Sequence, residues 1–193
     1  MKHHRMGFFT SAVAEGIRRR LIWTSAIAYS SEPGRSCSQR DWPALSAFNY
    51  PSPMLRQCST TLGFETRGRG LLDITRPVAE WTTGSRIREG ILTLFVRHTS
   101  ASLVVQENAD SEVRKYLDRF FARLVPDGDP LFHHRDEGPD DMPAHVRAAL
   151  TGVHLSIPVA GSRLALGQWQ GIYLWEHRLR PHRREVALHL VGD

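Results

Sequence analysis

Residues 133–160 read HHRDEGPDDMPAHVRAALTGVHLSIPVA, and the chain changes its period inside this stretch. The segment after Asp141 suits a short helix: Asp140 or Asp141 can cap it, its first turn accepts Pro143, and it carries His145. Gly152 breaks it. From there Val153, Leu155, Ile157 and Val159 alternate with His154, Ser156 and Pro158, the period of a half-buried strand. Ahead of the helix, His133, His134, Asp136, Glu137, Asp140, Asp141 and His145 fall within 13 positions. Carboxylates this close repel one another, and a cation or a cationic ligand would make the cluster favourable. A solvated acidic loop followed by a helix cap is the plain alternative.

Downstream, Gly161 and Ser162 turn the chain, Leu164–Leu166 and Ile172–His177 continue the extended pattern, and Val186, Leu188 and Leu190 mark a last strand. Glu176 and His177 are neighbours in one predicted strand, so they point to opposite faces; Gln170, Ile172 and Leu174 share the parity of Glu176, and Tyr173 and Trp175 that of His177. Upstream, the strongest helical period spans Ser111–Val125, with Val113, Tyr116, Leu117, Phe120, Phe121 and Leu124 at three- and four-residue spacing, Asp110 as cap and Pro126 as stop. It reads as an amphipathic core helix. Earlier still, Cys58–Thr66 and Leu71–Thr75 read as strands around the turn glycines Gly68 and Gly70. Residues 76–89 read as a helix ended by Gly90, Ile91–Arg97 as a strand buried on both faces, and Ala101–Gln106 as a further strand. Helices in the middle and a meander at the end argue for an α+β domain with a largely antiparallel or mixed sheet.

The 193-residue chain, 41% hydrophobic, suits one well-filled domain. Its net charge of +5 is uneven. Residues 1–53 hold seven Lys/Arg against three Asp/Glu, while residues 54–193 hold 18 against 17, a net of +1. That balance argues against a nucleic-acid partner for the folded part. Residues 1–53 show no sustained period and read as an atypical, disordered extension, a targeting peptide, or an upstream extension of the reading frame before Met54. Residues 54–193 form the expected domain. The two cysteines, Cys37 and Cys58, give neither a zinc spacing nor a disulfide framework, and no apolar run reaches membrane-spanning length, so a soluble cytoplasmic protein without membrane contact is expected. Ser100 and Ser102 do not sit in a nucleophile turn, and with Lys115 the single lysine after residue 53 there is no phosphate-binding P-loop. Phosphate would have to be bound by arginines, backbone amides or a metal. Histidine with carboxylate suits zinc or manganese, and an oxygen-rich site suits magnesium.

Five ordered motifs point further: HTSASL at 98–103, ENAD at 107–110, RFF-RLVP at 119–126, H-x-x-EGPDDMPAHV at 134–146 and LG-WQGIYL-EHR at 164–178. Together they closely resemble the YjbQ family, also described as secondary thiamine-phosphate synthases, over about residues 55–193. The resemblance implies an α+β domain whose mixed, largely antiparallel sheet curls into a half-barrel with packed helices. It also implies a homotrimer and a divalent metal ion (zinc, manganese or magnesium) acting on small phosphorylated substrates. The implied reaction couples an aminopyrimidine methyl pyrophosphate to a thiazole phosphate with loss of pyrophosphate. The alternative is a trimeric metal- or phospholigand-binding protein without physiologically relevant catalysis.

Carried over by position, His98, His134 and His145 are the expected metal ligands and His133 has no counterpart. Asp141 and Glu176 are candidates for acid/base or supporting roles, Asn108 for orienting substrate, and Gln170, Arg183 and Arg184 for binding its phosphorylated parts; Asp110 and Asp140 also match. The sequence departs from the family pattern at Gln168, where threonine is usual, and at Pro181 and His182, where Gly-Ser commonly precedes the paired arginines.

Overall fold

The computed structural model describes residues 54–134 and 136–193; the expectations for residues 1–53 lie outside them. The elements run β1 (Arg56–Glu65), β2 (Gly70–Asp73), α1 (Thr75–Gly84), β3 (Glu89–Val96), β4 (Ala101–Glu107), α2 (Ser111–Leu124), α3 (Asp141–Thr151), β5 (His154–Ala160), β6 (Arg163–Leu164), β7 (Gln170–Glu176) and β8 (Arg183–Gly192). They build a curled five-stranded half-barrel in the order β1-β8-β3-β5-β6 and a three-stranded sheet β2-β7-β4. The strand pairings are antiparallel in both sheets.

Alternation along the strands decides how these layers stack. Leu92, Leu94 and Val96 of β3, Val186, Leu188 and Leu190 of β8, and Ile157 and Val159 of β5 form one apolar face. It meets Leu103 of β4 and Ile172 and Leu174 of β7, with Ile74 and Val78 at the start of α1 closing the same core. The other parity of β7 carries Tyr173 and Trp175, and it faces the helices: Phe121 of α2 packs edge-on against Trp175 at 4.9 Å, and Trp175 Nε1–H donates to Asp118 at 3.3 Å. β7 is therefore buried on both faces, as the parity of its residues requires.

Three local expectations change. Helix α1 ends at Gly84, and Gly90 instead pairs with Gly192 across β3 and β8. A Cβ on Gly90 would stand 2.4 Å from Val191 O, so two glycines are needed where these strands approach. Gly90→Ala is expected to cost about 1–3 kcal/mol, read as a lower urea midpoint. Strand β3 is not buried on both faces: Ile91 and Phe95 are 42% and 48% exposed on its outer side. Helix α2 is not a core helix either. It has no buried residue, and Tyr116, Phe120 and Leu124 form an exposed apolar row. Periodicity measures how many sides of a segment are apolar, and it does not say what covers each side within one chain.

Candidate functional site

One cleft, of about 500 Å³, opens where β3 ends, β4 begins, β7 ends, β8 begins and α3 starts. Helix α3 supplies Asp141 in its first turn and His145 one turn later, a spacing that puts both on one face. The preceding loop supplies His134. His134 Nε2 lies 3.1 Å and His145 Nε2 3.5 Å from the two oxygens of Asp141, and the two imidazole rings are 5.9 Å apart. Ligand atoms of His134, Asp141 and His145 all fall within 4.8 Å of one another.

The second nitrogen of His145 settles its tautomer. Nδ1–H donates to Thr99 O at 3.0 Å, and because a carbonyl can only accept, the proton must be on Nδ1. In the neutral ring Nε2 then presents a lone pair toward the Asp141 carboxylate, an arrangement that a cation between them makes favourable. Two imidazoles and one carboxylate suit zinc or manganese and leave coordination positions for a ligand.

Asp141 is held from behind by Arg178, whose Nη1 donates to Asp141 Oδ1 at 2.6 Å and to Glu137 Oε2 at 2.8 Å. The same guanidinium donates through Nε to Asp140 Oδ2 at 3.0 Å and through Nη2 to Glu137 O at 2.8 Å. Asp140 also accepts from Leu179 N–H at 2.8 Å. Of the two residues read as able to cap α3, Asp140 therefore stands at the N-cap position but makes no side-chain cap bond. Burial alone would raise the Asp140 carboxyl, but the Leu179 amide and Arg178 outweigh burial and hold it below the usual range.

Glu176 is fully buried behind the cleft wall formed by Arg178 and Arg184. Arg184 clamps it with two bonds, Nε to Oε2 at 2.7 Å and Nη2 to Oε1 at 2.5 Å; Thr66 Oγ1–H and Arg178 N–H donate to the same carboxylate at 2.9 and 3.0 Å. Burial pushes the Glu176 carboxyl up, yet Arg184, the Arg178 amide and Thr66 together keep it below its ordinary value. A carboxylate with both oxygens so committed orients Arg184; it is poorly placed to carry protons.

The remaining sequence candidates separate. His98 lines the cleft but stands outside the three-residue ligand group, and its Nε2 accepts from Glu185 N–H at 2.9 Å. Arg183 and Arg184 point to opposite faces of β8, so Arg184 is buried in the cleft wall while Arg183 is exposed beside Glu65 at 3.9 Å. Asn108 donates to Gln168 O and Gln170 O, both at 3.3 Å, at the end of the β4–β7 pair opposite Glu176. Gln170 Oε1 accepts from Gly167 N–H at 2.8 Å there, so neither residue meets the histidines within this chain. His182, a departure from the family pattern, lines the cleft with its Nδ1 bonded to Arg180 O at 2.8 Å.

Sequence spacing does not single out Arg178. Its signal is present as the one arginine following the Glu176–His177 pair, but only the fold reveals that it faces three carboxylates.

The match to known proteins follows the same boundaries. A family profile described as UPF0047 protein YjbQ-like covers residues 60–193. A UPF0047 protein of Synechocystis is 48% identical over 138 residues, covering 72% of this chain and 94% of the relative. The UPF0047 protein YjbQ of Escherichia coli O157:H7 is 39% identical over 142 residues, covering 72% of this chain and all of the relative (100%). Among solved structures, a conserved hypothetical protein of Thermus thermophilus aligns with a TM-score of 0.60 at 38% identity, covering 67% of this chain and 97% of that one. A YbjQ-like protein of Sulfolobus solfataricus shares the fold, with a TM-score of 0.66 at 23% identity over 72% of this chain and 99% of that one. On the profile match and these identities, the chain belongs to the UPF0047 YjbQ-like family.

Proposed function

We propose that the cleft is a divalent-metal site for small phosphorylated compounds, and that the protein is a cytoplasmic, homotrimeric transferase of the secondary thiamine-phosphate synthase kind. The observation that carries the metal reading is the convergence of His134, Asp141 and His145, with His145 Nδ1 bonded to a carbonyl so that Nε2 is left as a ligand. Among the described residues no helix is long and apolar enough to cross a membrane. Oligomer formation is supported by the apolar side chains left exposed on β3 and α2, Phe95, Tyr116 and Phe120 among them.

In the proposed reaction the bond between the exocyclic methylene carbon of the aminopyrimidine and its pyrophosphate breaks. Pyrophosphate leaves with the electron pair, and the thiazole ring nitrogen forms the new bond to that carbon. The nucleophile is a ring lone pair with no proton to remove, so the step does not require a free general base. This suits a site whose carboxylates, Asp141 in the cleft and Glu176 buried behind it, are both engaged by arginines. A bound divalent ion would supply positive charge to the departing phosphate oxygens. Arg184, oriented by Glu176, would bind and position that group. Protein rigorously freed of host enzyme should form thiamine phosphate from the two precursors with added metal. His145→Ala should lower metal affinity more than about 100-fold and abolish product. Equal product from the variant would refute the assignment.

A second reading, a metal- or phospholigand-binding protein without turnover, is favoured by the position of Asn108 and Gln170, which leaves the substrate-orienting role unfilled within one chain. Under it, metal or pyrophosphate at 100 times Kd raises stability by about 2.7 kcal/mol, seen as a higher Tm, with no product formed.

A further inference from the structure

We propose that His98 is an anion-binding residue: its neutral Nδ1–H and the Arg184 guanidinium form an oxyanion-recognition pair beside the metal ligands. A backbone amide fixes the ring. Glu185 N–H can only donate, so His98 Nε2 must accept it at 2.9 Å through its lone pair, and in the neutral ring the proton then resides on Nδ1. Nε2 is consumed in this bond, and Nδ1–H is the polar atom that His98 has left to offer the cleft it lines. A protonated nitrogen cannot coordinate a metal, but it can donate to a phosphoryl or carboxylate oxygen. Burial, followed by the charge of Arg184, lowers the His98 pKa and so supports the neutral form near pH 7.

Two bonds fix this donor next to the arginine. His98 is tied to Glu185, the residue after Arg184, and Arg184 Nη2 donates to Ser100 Oγ, two residues after His98, at 3.0 Å. Arg184 spends Nε and Nη2 on Glu176 and Ser100, and its Nη1 makes no hydrogen bond among the described residues. Glu176 balances the arginine's charge, so the pair recognises an oxyanion by directed donors, and a neighbouring cation adds the attraction that the neutralised arginine lacks. The ligand class is a tetrahedral phosphate group, free or esterified, which can accept from both donors while another of its oxygens faces the metal ligands. The inference deepens the phosphate half of the reading above, and it is judged independently of the metal.

The test uses the full chain and three probes: inorganic phosphate, methyl phosphate and acetate, each titrated calorimetrically with and without Mn²⁺. His98→Gln keeps an acceptor for Glu185 N–H and removes the Nδ1 donor. It is expected to weaken phosphate and methyl phosphate binding about tenfold, the value of one hydrogen bond, while leaving Mn²⁺ affinity within about twofold. Weaker binding of methyl phosphate than of inorganic phosphate would assign the site to the free anion, and equal binding to esters as well; tighter binding of acetate than of either would overturn the phosphate class. Two-bond ¹H–¹⁵N correlation of the wild-type imidazole should show the Nδ1–H tautomer. An Nε2–H tautomer, unchanged phosphate binding in His98→Gln, or a loss of Mn²⁺ affinity as large as that of His145→Ala would overturn the proposal. Failure of wild-type protein to bind Mn²⁺ would instead sink the metal reading and leave the phosphate titrations to decide this one.

Discussion

Arg178→Met is expected to lower folding stability by about 3–5 kcal/mol at pH 7 in the metal-free protein, because it removes the guanidinium shared by a buried acidic pair. The Arg178 side chain is 5% exposed, and those of Asp140 and Asp141 are 8% and 3% exposed. Methionine fills similar volume but leaves two adjacent buried carboxylates facing each other, with Glu137 nearby. Desolvation and like-charge repulsion then act together, and the loop that carries His134 loses both of its bonds to Arg178, through Glu137 Oε2 and Glu137 O. Arg178→Lys should recover part of the loss, since an ammonium restores charge but cannot span three carboxylates as the planar fork does. Saturating Mn²⁺ should restore stability to Arg178→Met more than to wild type, because the cation neutralises the carboxylate that the arginine has abandoned. Urea midpoints measured with and without metal check both statements; a midpoint within error of wild type in the metal-free variant would show that the acidic pair is not held by Arg178.

The fold was legible wherever a period of two or 3.6 had one dominant partner. The parity of β7 correctly divided Ile172 and Leu174 from Tyr173 and Trp175, because a strand cannot turn single residues over without a bulge. The same rule, applied to β8, separates Arg183 from Arg184: adjacent residues in a strand cannot both line one cleft. The exposed apolar sides of β3 and α2 were not legible, since a sequence records apolar residues without recording whether the same chain or another covers them.

The site was legible in part for a related reason. The Asp141–His145 spacing lies on one helical face and could be read locally, and His134 follows from the same cluster. The placement of His98 depends on a backbone amide 87 residues away, and that of Glu176 on Arg184 and Thr66 approaching from two other segments. Long-range hydrogen bonds of this kind decide whether a polar side chain is a ligand, a donor or a support, and no local spacing encodes them.

Lowering the pH from 7 to 5 should destabilise the metal-free protein by about 2 kcal/mol through His177 alone. His177, directly after β7, is 1% exposed, with Nε2 2.8 Å from Ser102 Oγ, to which Thr151 Oγ1 in turn bonds at 2.7 Å. Burial, then the charges of Arg147, Arg69 and Arg184, lower its pKa from 6.5 to about 3. The folded state therefore keeps His177 neutral while the unfolded chain takes up a proton as the pH falls through 6.5. The unfolded state binds more protons throughout the interval down to about 3, so stability declines with acidification across that window. Stopping at pH 5 keeps the measurement where Asp140 and Glu176, both held below their ordinary values, are still mainly ionised in the unfolded chain and add little to the slope. His177→Gln retains an amide that can bond Ser102 and has no titrating ring. It is expected to be less stable than wild type at pH 7 through altered packing against Trp175, whose ring lies 5.3 Å away, yet to lose about 2 kcal/mol less on acidification. Taking the difference between the two proteins' urea midpoints at each pH cancels the titration of the other histidines. Parallel pH slopes would mean that His177 is protonated in the folded state, and that the buried His177–Ser102–Thr151 chain opens to water well above pH 3.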